Sequence, residues 1–554
     1  MPEDLPETYY LDNVLTLFEH VRQVYGDLLE QPQLAFLDDF AALSPDASKL
    51  CIRLLNRSHD CYRRAKLNYS EIGSLDAAVA ELAQHGLLEI NGDIDRATLL
   101  SLFTLPELRA LIGNDGGIEG LGKLRRAELE VALLELDDDD FFTRLKHCDD
   151  LLQLLCRDEY LLCQMLFFGN LNQSMTDFVL HDLGLFQYEN YPVDPEHRPY
   201  RSTLEIRQHW LLYQLQNQFE LGDNSDRKQL RELGDIIPGD IEALAPGFGK
   251  SERLRYQVAR QLERIGDLSS ADRLYRQCLL PPSRERRARI LDQRGKHRAA
   301  LELCEAIIAQ PLDEQELQFA CGFAARLIRR HDFAAMESIE QLRITHQPQI
   351  IDLELEFHDP VEIAVTEFHN AADSAGRCDY VENSLFNGVL GLLLWDVVFA
   401  PLPGAFYNPF QYRPSDFYAH DFATRRGRLL DQAWAAINSN EDIWRIVKKR
   451  WRQKQGLMNP FVNWQGLDLD LIELALERIE HAHWRAIFIR ILRDLRNNRA
   501  GFPDLVQFPS TGGYCLIEVK GPGDSLQKNQ QRWMQYFDEH GIPHQLTRVT
   551  WRSN

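Results

Sequence analysis

No Cys-x-x-Cys pair and no Cys/His group at zinc-ligand spacing occurs in the 554 residues of this chain. Its ten cysteines are scattered, which argues against a structural zinc site and a disulfide framework and leaves them as buried thiols. Long apolar runs are missing too. The longest, Val389 to Phe399, contains Asp396 and is too short to cross a bilayer, so no membrane span is expected. The opening residues MPEDLPETYYLDNV lack the basic-then-apolar order of a secretory leader. An intracellular protein is expected, in the cytoplasm or nucleoid of a bacterium or the nucleus of a eukaryote. Positive charge is scarce, with 61 Lys and Arg against 84 Asp and Glu and a net charge of −23. That deficit counts only weakly against a nucleic-acid partner, because binding depends on where local charge sits. Acidic runs such as Asp137 to Asp140 can hold the excess while basic patches elsewhere meet phosphates. No segment is poor enough in apolar residues to be read as disordered, and the length implies roughly three to five domains.

What is present is mostly helical periodicity. From residue 12 to 70, apolar groups recur at three-to-four spacing (Val14, Leu17, Phe18, Val21, then Leu50, Leu54), which predicts a helical N-terminal domain over residues 1–75. In FTLPELRALIGNDGGIEGLGKLRRAELEVALLEL, Thr104 and Glu107 have capping-box spacing and Pro106 is tolerated in a first turn. Leu105, Leu108, Leu111 and Ile112 form one apolar face, and Leu129, Val131, Leu133 and Leu134 lie in a second helix. With Lys123, Arg125 and Arg126 near the start of that helix, the stretch resembles a SAP domain, a small helix-turn-helix DNA-binding module, and residues 76–170 are assigned to it. On the residues alone, a solvated helical hairpin accounts for the pattern as well. Between residues 250 and 320 a shift of 29 positions matches Ala259 with Ala288, Leu262 with Leu291, Gly266 with Gly295, Ala271 with Ala300 and Pro282 with Pro311. Small residues at helix contacts, a glycine at the turn and a proline at the end describe a helical-hairpin repeat. Residues 171–370 therefore read as a tetratricopeptide-like region, which offers a surface for a protein partner. The dense Arg284–Arg298 run within it reads as a solvated face.

The chemistry lies in GFPDLVQFPSTGGYCLIEVKGPGDSLQKNQQRWMQYF, residues 501–537. Leu505, Val506 and Phe508 predict one short strand and Tyr514 to Lys520 a second, joined by a turn-rich segment. Along a strand alternate side chains share a face, so Glu518 and Lys520 point one way while Ile517 and Val519 point the other. The hairpin then brings Asp504 beside them. Two carboxylates can hold Mg²⁺ or Mn²⁺ through hard oxygen ligands, with the Val519 carbonyl as a further ligand, and Lys520 can orient the attacking water. Those are the parts needed to hydrolyse a phosphodiester. A surface ion pair on an ordinary strand is the competing account of a lone Glu-x-Lys.

These residues resemble the VRR-NUC subclass of the PD-(D/E)XK nucleases. VENSLFNGVLGLLLWDVVF (381–399), ILRDLRNNRAGFPDLVQF (491–508) and EVKGPGDSLQKNQQRW (518–533) are similar to segments of the Fanconi-anaemia-associated nuclease family. The resemblance implies a multidomain, mainly α-helical protein with a C-terminal α/β PD-(D/E)XK core over residues 371–554. It implies a metal set of Glu382, Asp504, Glu518 and Val519, with Glu382, Asp504, Glu518 and Lys520 as the catalytic residues. It also implies a 5′-flap endonuclease and 5′-to-3′ exonuclease acting on branched DNA in interstrand cross-link repair. Arg425 and Arg426, and Lys448, Lys449 and Arg452, are further candidates to grip the duplex arms. Two other classes remain open on the residues: a junction-resolving or restriction-like endonuclease, and a non-catalytic helical-repeat scaffold.

Overall fold

The computed structural model describes residues 9–113, 121, 124–136, 139–173, 186–334 and 348–552. They belong to two units, Met1–Leu185 with Tyr200–Ile206 and Phe186–Pro199 with Arg207–Asn554.

In the first unit the amphipathic pattern becomes the helices Tyr9–Tyr25, Gln31–Ala42 and Pro45–Leu55. Val14, Leu17, Phe18 and Val21 are buried while Leu15, on the other face, is exposed. Ser44 starts the third helix, its hydroxyl accepting from Ala47 N at 3.3 Å with Pro45 in the first turn. The unit also holds a small antiparallel sheet that helical periodicity cannot reveal. Strands β1 (Cys61–Arg63), β2 (Leu88–Ile90) and β3 (Leu151–Leu154) lie in the order β1-β3-β2. Because β3 pairs with both earlier strands, the expected break at residue 75 falls inside one sheet. The SAP-like stretch is an insertion between β2 and β3. Its helices Leu105–Gly113 and Arg126–Leu136 pack through Leu108, Ile112, Leu129 and Leu133 onto Phe103, Phe141 and Leu145, whereas Val131 and Leu134 are exposed. Glu107 accepts from Thr104 N at 2.7 Å and Thr104 Oγ1 at 2.8 Å, closing the helix start.

The second unit begins with paired helices, among them Phe248–Arg264, Leu268–Gln277, Ser283–Gln293, His297–Ala309 and Glu314–His331. Ala259, Ala271, Ala288 and Ala300 are fully buried where helices meet. Gly266 (φ +81°) and Gly295 (φ +74°) take the left-handed turn conformation that the repeat reserves for glycine. The arginine run is largely consumed inside the array: Arg284 pairs with Glu316, Arg286 with Glu263, Arg287 with Asp272 and Arg298 with Glu302.

The nuclease-like core is a five-stranded sheet built from β4 (Ile350–Leu355), β5 (Arg377–Tyr380), β6 (Leu505–Phe508), β7 (Cys515–Lys520) and β8 (His544–Trp551). Their order is β4-β8-β7-β6-β5. The β5/β6 and β6/β7 pairs are antiparallel, while β7/β8 and β4/β8 are parallel. On one face Val365, from the helix Val361–Ala372, packs with Leu505, Ile517, Val519 and Val549. On the other, Val506 and Leu516 meet Trp533 and Phe537 from the helix Lys528–Glu539 and the buried helices Leu385–Leu393 and His481–Arg493. This core therefore starts at β4, upstream of the expected boundary at residue 371. Glu314, at the start of its helix, accepts from Arg490 and forms an ion pair with Arg532 at 2.9 Å, and so ties the last repeat helix to the two helices behind the sheet. Among the described residues no helix is long and apolar enough to cross a membrane.

Candidate active site

The β6–β7 register sets Leu505 opposite Ile517 and Val506 opposite Leu516, which brings Asp504 level with Glu518. Asp504 Oδ2 accepts from Val519 N at 2.8 Å, so a side-chain bond extends the ladder by one rung. The Asp504 carbonyl in turn accepts from Val381 N at 2.8 Å, which carries β5 alongside and delivers Glu382 to the same end of the sheet. Asn383 follows with φ +54°, a left-handed turn that asparagine tolerates, and its Nδ2 donates to Glu382 Oε1 at 2.9 Å. The phenol of Tyr380 donates to Glu382 Oε2 at 2.5 Å. Four sequence-predicted residues, Glu382, Asp504, Glu518 and Lys520, are thus brought to one edge by three adjacent strands.

Glu518 is the most enclosed of them, at 1% exposure. Its Oε1 accepts from Lys520 Nζ at 2.8 Å and from Gln530 Nε2 at 2.6 Å. Its Oε2 is buried and, among the described residues, has no hydrogen-bond partner. A buried carboxylate oxygen without a donor is costly unless something absent from a bare polypeptide satisfies it. Burial first, and the charge of Asp504 next, push the Glu518 carboxyl up to about 8. Burial likewise pushes Asp504 up to about 6, Glu382 adding to the shift while the Val519 N–H opposes it. Crowded, desolvated carboxylates with an unsatisfied oxygen fit an oxygen-ligated divalent cation.

Gln530 does two jobs. Its Oε1 accepts from Gln527 N at 2.9 Å, which caps the helix Lys528–Glu539, while its Nε2 fixes Glu518. Gln530→Glu keeps the cap but replaces the donor with a like charge. We expect it to raise the Mg²⁺ concentration for half-maximal cleavage, or lower the rate, by about 10–100-fold, the range for groups that orient metal ligands. A metal titration of cleavage checks this, with the melting temperature as a control for the cap.

The family model described as the VRR-NUC domain matches residues 438–551, which include Asp504, Glu518, Val519 and Lys520 but not Glu382. The Fanconi-associated nuclease 1 homolog of Pseudomonas aeruginosa is 33% identical over 99% of this chain and 97% of its own length. This chain belongs to the Fanconi-associated nuclease family. The homolog from Oryza sativa is 21% identical across 98% of this chain, which spans 63% of that longer protein. A crystal structure of paFAN1 bound to 5′-flap DNA with a gap superposes with a TM-score of 0.81 at 32% identity, covering 100% of both chains. Membership makes this protein a nuclease, so the scaffold reading is set aside.

A second family model, described as the FAN1 HTH domain, matches residues 8–89. The helix-turn-helix label of the Fanconi-associated nuclease family thus falls on the N-terminal helices, which periodicity had left without a role. Their apolar spacing carries no feature that separates a DNA-reading helix from a core helix.

The basic residues singled out from the sequence divide sharply. Arg426 is 1% exposed, and its guanidinium is spent on Asp416 (2.8 and 3.0 Å) and the Val397 carbonyl. Arg425 also pairs with Asp416, at 2.6 Å. Both hold the loop around Asp416, Arg425 also donating to the Pro403 carbonyl at 3.1 Å, and as a correction to the expectation that it grips DNA, Arg426 is buried there. Arg126 is likewise engaged, by Glu130 and the carbonyls of Phe103 and Leu100. Trp451 packs edge-on against Trp464 at 5.3 Å. Arg125, Lys449 and Arg452 are exposed, and Lys448 is half-buried over the Trp444 ring. Lys123 lies outside the described residues.

One more group deserves comparison with the hairpin site. Ligand atoms of Asp292, His297 and His331, in the helical hairpins, lie within 4.8 Å of one another. The two imidazoles are stacked, with centroids 3.7 Å apart and planes 19° from parallel. A metal lies in the plane of each imidazole that binds it, so in this arrangement the two lone pairs do not converge on one ion. His297 Nδ1 instead meets Asp292 at 2.6 Å.

Proposed function

We propose that this protein is a 5′-flap endonuclease and 5′-to-3′ exonuclease that cuts branched DNA by metal-ion catalysis and serves interstrand cross-link repair. The observation that carries the chemistry is the unpartnered, buried Oε2 of Glu518 beside Asp504 at the edge that Glu382 also reaches. The paFAN1 structures in complex with 5′-flap DNA support the substrate class, and the family's name supports the repair role.

Asp504, Glu518, Glu382 and the Val519 carbonyl would hold the cation, and an all-oxygen donor set suits Mg²⁺ or Mn²⁺. When bound, such an ion polarises the phosphoryl oxygen and makes a nearby water a stronger nucleophile at neutral pH. The chain's own residues supply the rest. Lys520 sets an ammonium on the Glu518 face, where it orients the attacking water and offsets charge developing on the pentacovalent phosphorus. Gln530 keeps one Glu518 oxygen turned away, leaving the other free. Tyr380 and Asn383 fix Glu382 in the same way. Exposed Lys449 and Arg452 are among the cations of this unit available to a duplex arm, and Arg125 is available on the SAP-like insertion. The helical hairpins offer a surface to a protein partner.

The test is cleavage of end-labelled flap, nicked, four-way-junction and single-stranded DNA in Mg²⁺ and in Mn²⁺. A 5′ flap cut fastest supports the proposal; equal cutting of all substrates, or a preference for the intact junction, overturns the substrate assignment in favour of a junction-resolving or restriction-like enzyme. A second measurement bears on the SAP-like insertion. Replacing Arg125 with serine should weaken duplex binding whatever the sequence and flatten the salt dependence by roughly one unit of slope if one phosphate contact is lost. Arg126→Ser should act on stability instead, because that guanidinium closes three contacts within the insertion. An unchanged salt slope in Arg125→Ser would return the insertion to a plain helical hairpin.

A further inference from the structure

Glu314 opens the helix Glu314–His331, where a carboxylate already complements the positive helix end. Its side chain nonetheless turns toward the nuclease core. It forms ion pairs with Arg490 at 3.2 Å and Arg532 at 2.9 Å, and accepts from Asn498 Nδ2 at 3.3 Å. The side chains of Glu314, Arg490 and Arg532 are only 15%, 12% and 11% exposed. One carboxylate thus stands between two largely desolvated guanidiniums. Burial pulls Arg490 below its ordinary pKa, and Glu314 opposes that shift. Burying such a cluster gains little net stability over apolar side chains of the same volume. Its geometry leads to the active site instead.

Arg532 lies on the helix Lys528–Glu539, two residues past Gln530. Two residues turn about 200° around an α-helix, so these side chains leave it on opposite sides. Gln530 reaches inward to Glu518 Oε1 at 2.6 Å, while Arg532 reaches outward to Glu314 and, at 3.2 Å, to Gln318 Oε1 one turn along the repeat helix. The first turns of Lys528–Glu539 are therefore held between Glu518 on one side and Glu314 on the other. The loop that leads into Asp504 leaves them little slack. Gly501 takes φ +83°, and a Cβ there would stand 2.5 Å from Asn529 Nδ2. That loop is itself fastened to the repeat helix: Asp494 accepts from Glu314 N at 3.1 Å, and Asn497 accepts from Gln315 Nε2 at 2.8 Å. A displacement of the repeat helix is thus carried by Arg532 to the turn that aims Gln530.

We propose that Glu314 is a positioning residue for the cleavage reaction: by holding Arg532 it sets the helix that carries Gln530, and so fixes Glu518 for its cation. The helical hairpins are then a working part of the nuclease as well as a surface for a partner. This rests on the reading of Glu518 as a cation ligand. The plain competing account is that Glu314 only steadies the fold where the hairpins meet the core.

Full-length Glu314→Gln keeps the side-chain length and an oxygen for Asn498, but removes the charge that holds both guanidiniums. Single-turnover cleavage of a labelled 5′ flap is followed across a Mg²⁺ titration, well below the melting temperature of every variant. The half-saturating Mg²⁺ concentration should rise about tenfold, with flap affinity in Ca²⁺ unchanged. Arg532→Gln should give the same shift from the other partner. Glu252→Gln, which breaks a buried pair with Arg255 inside the hairpins, reports what lost stability alone does: it should lower the melting temperature and leave the Mg²⁺ dependence in place. Because Glu314 acts through Gln530, adding Glu314→Gln to Gln530→Ala should raise the Mg²⁺ requirement by less than about twofold further. The proposal is overturned if Glu314→Gln melts lower yet keeps the wild-type Mg²⁺ dependence, if Glu252→Gln shifts that dependence equally, or if the effects of Glu314→Gln and Gln530→Ala add in full. If Glu518→Gln also cuts with the wild-type Mg²⁺ dependence, it is the reading of Glu518 that fails.

Discussion

Asp504→Asn is expected to abolish cleavage, by roughly 10³-fold or more, while leaving DNA binding within a few-fold of the wild type. The asparagine amide is nearly isosteric and its oxygen can still accept from Val519 N, so the rung that joins β6 to β7 survives. What is lost is one of the negative charges that would hold the cation. Several kcal/mol of transition-state stabilisation come from a cation of this kind, and each 1.36 kcal/mol is a factor of ten in rate. On the proposed reading, duplex affinity would come instead from exposed cations such as Lys449, Arg452 and Arg125. Single-turnover cleavage of a labelled 5′ flap and a gel-shift titration in Ca²⁺ make the two measurements. A variant that still cuts at near wild-type rate would remove Asp504 from the chemistry and leave the hairpin as an ordinary sheet edge.

The hairpin was legible because everything that defines it is local. Alternation along Cys515–Lys520 decides which side chains share a face, the Gly-rich turn decides that the strands pair, and pairing decides that Asp504 meets Glu518. Glu382 was not legible that way. Nothing within ten residues of it says metal rather than solvent, and it came through the resemblance to a family segment; the structure places it through a single backbone bond, Val381 N to the Asp504 carbonyl. β4, β5 and the helix Val361–Ala372 escaped entirely. β4 is a half-exposed edge strand whose partner, β8, is the last element of the chain, and β5 is four residues long.

Basic residues show the complementary limit. Arg425 and Arg426 read from the sequence like Lys448 and Lys449, yet the first two are drawn onto Asp416, nine and ten residues upstream. In the helical repeats Arg284, Arg286 and Arg287 are spent on carboxylates from other helices in the same manner. A charge run reports neither its burial nor its partner. The acidic excess of this chain is partly what consumes these arginines, and the cations left exposed are a better guide to a DNA path than the number of cations in any run.

Glu518→Gln should have opposite effects on two properties: loss of cleavage, and a gain in stability of the metal-free protein that grows with pH. The Glu518 carboxyl is held at about 8 by burial and by Asp504, against an ordinary value of 4.5. A folded-state value above the unfolded one means that folding favours the protonated form. The stability this group allows is therefore complete below about pH 4.5 and drains away as pH rises through about 8. Glutamine carries no such cost, so the metal-free variant should melt close to the wild type at pH 5 and several degrees above it at pH 8.5. Divalent cations should reverse the order. They bind the ionised carboxylate and restore what its burial costs, so Mn²⁺ should raise the wild-type melting temperature, and raise it more at pH 8 than at pH 6, while the variant loses most of that gain. Melting curves at three pH values, with and without Mn²⁺, test the pair of effects together. A metal-free variant no more stable than wild type at pH 8.5 would mean that Lys520 and Gln530 already neutralise Glu518, and its free oxygen would then no longer argue for a cation.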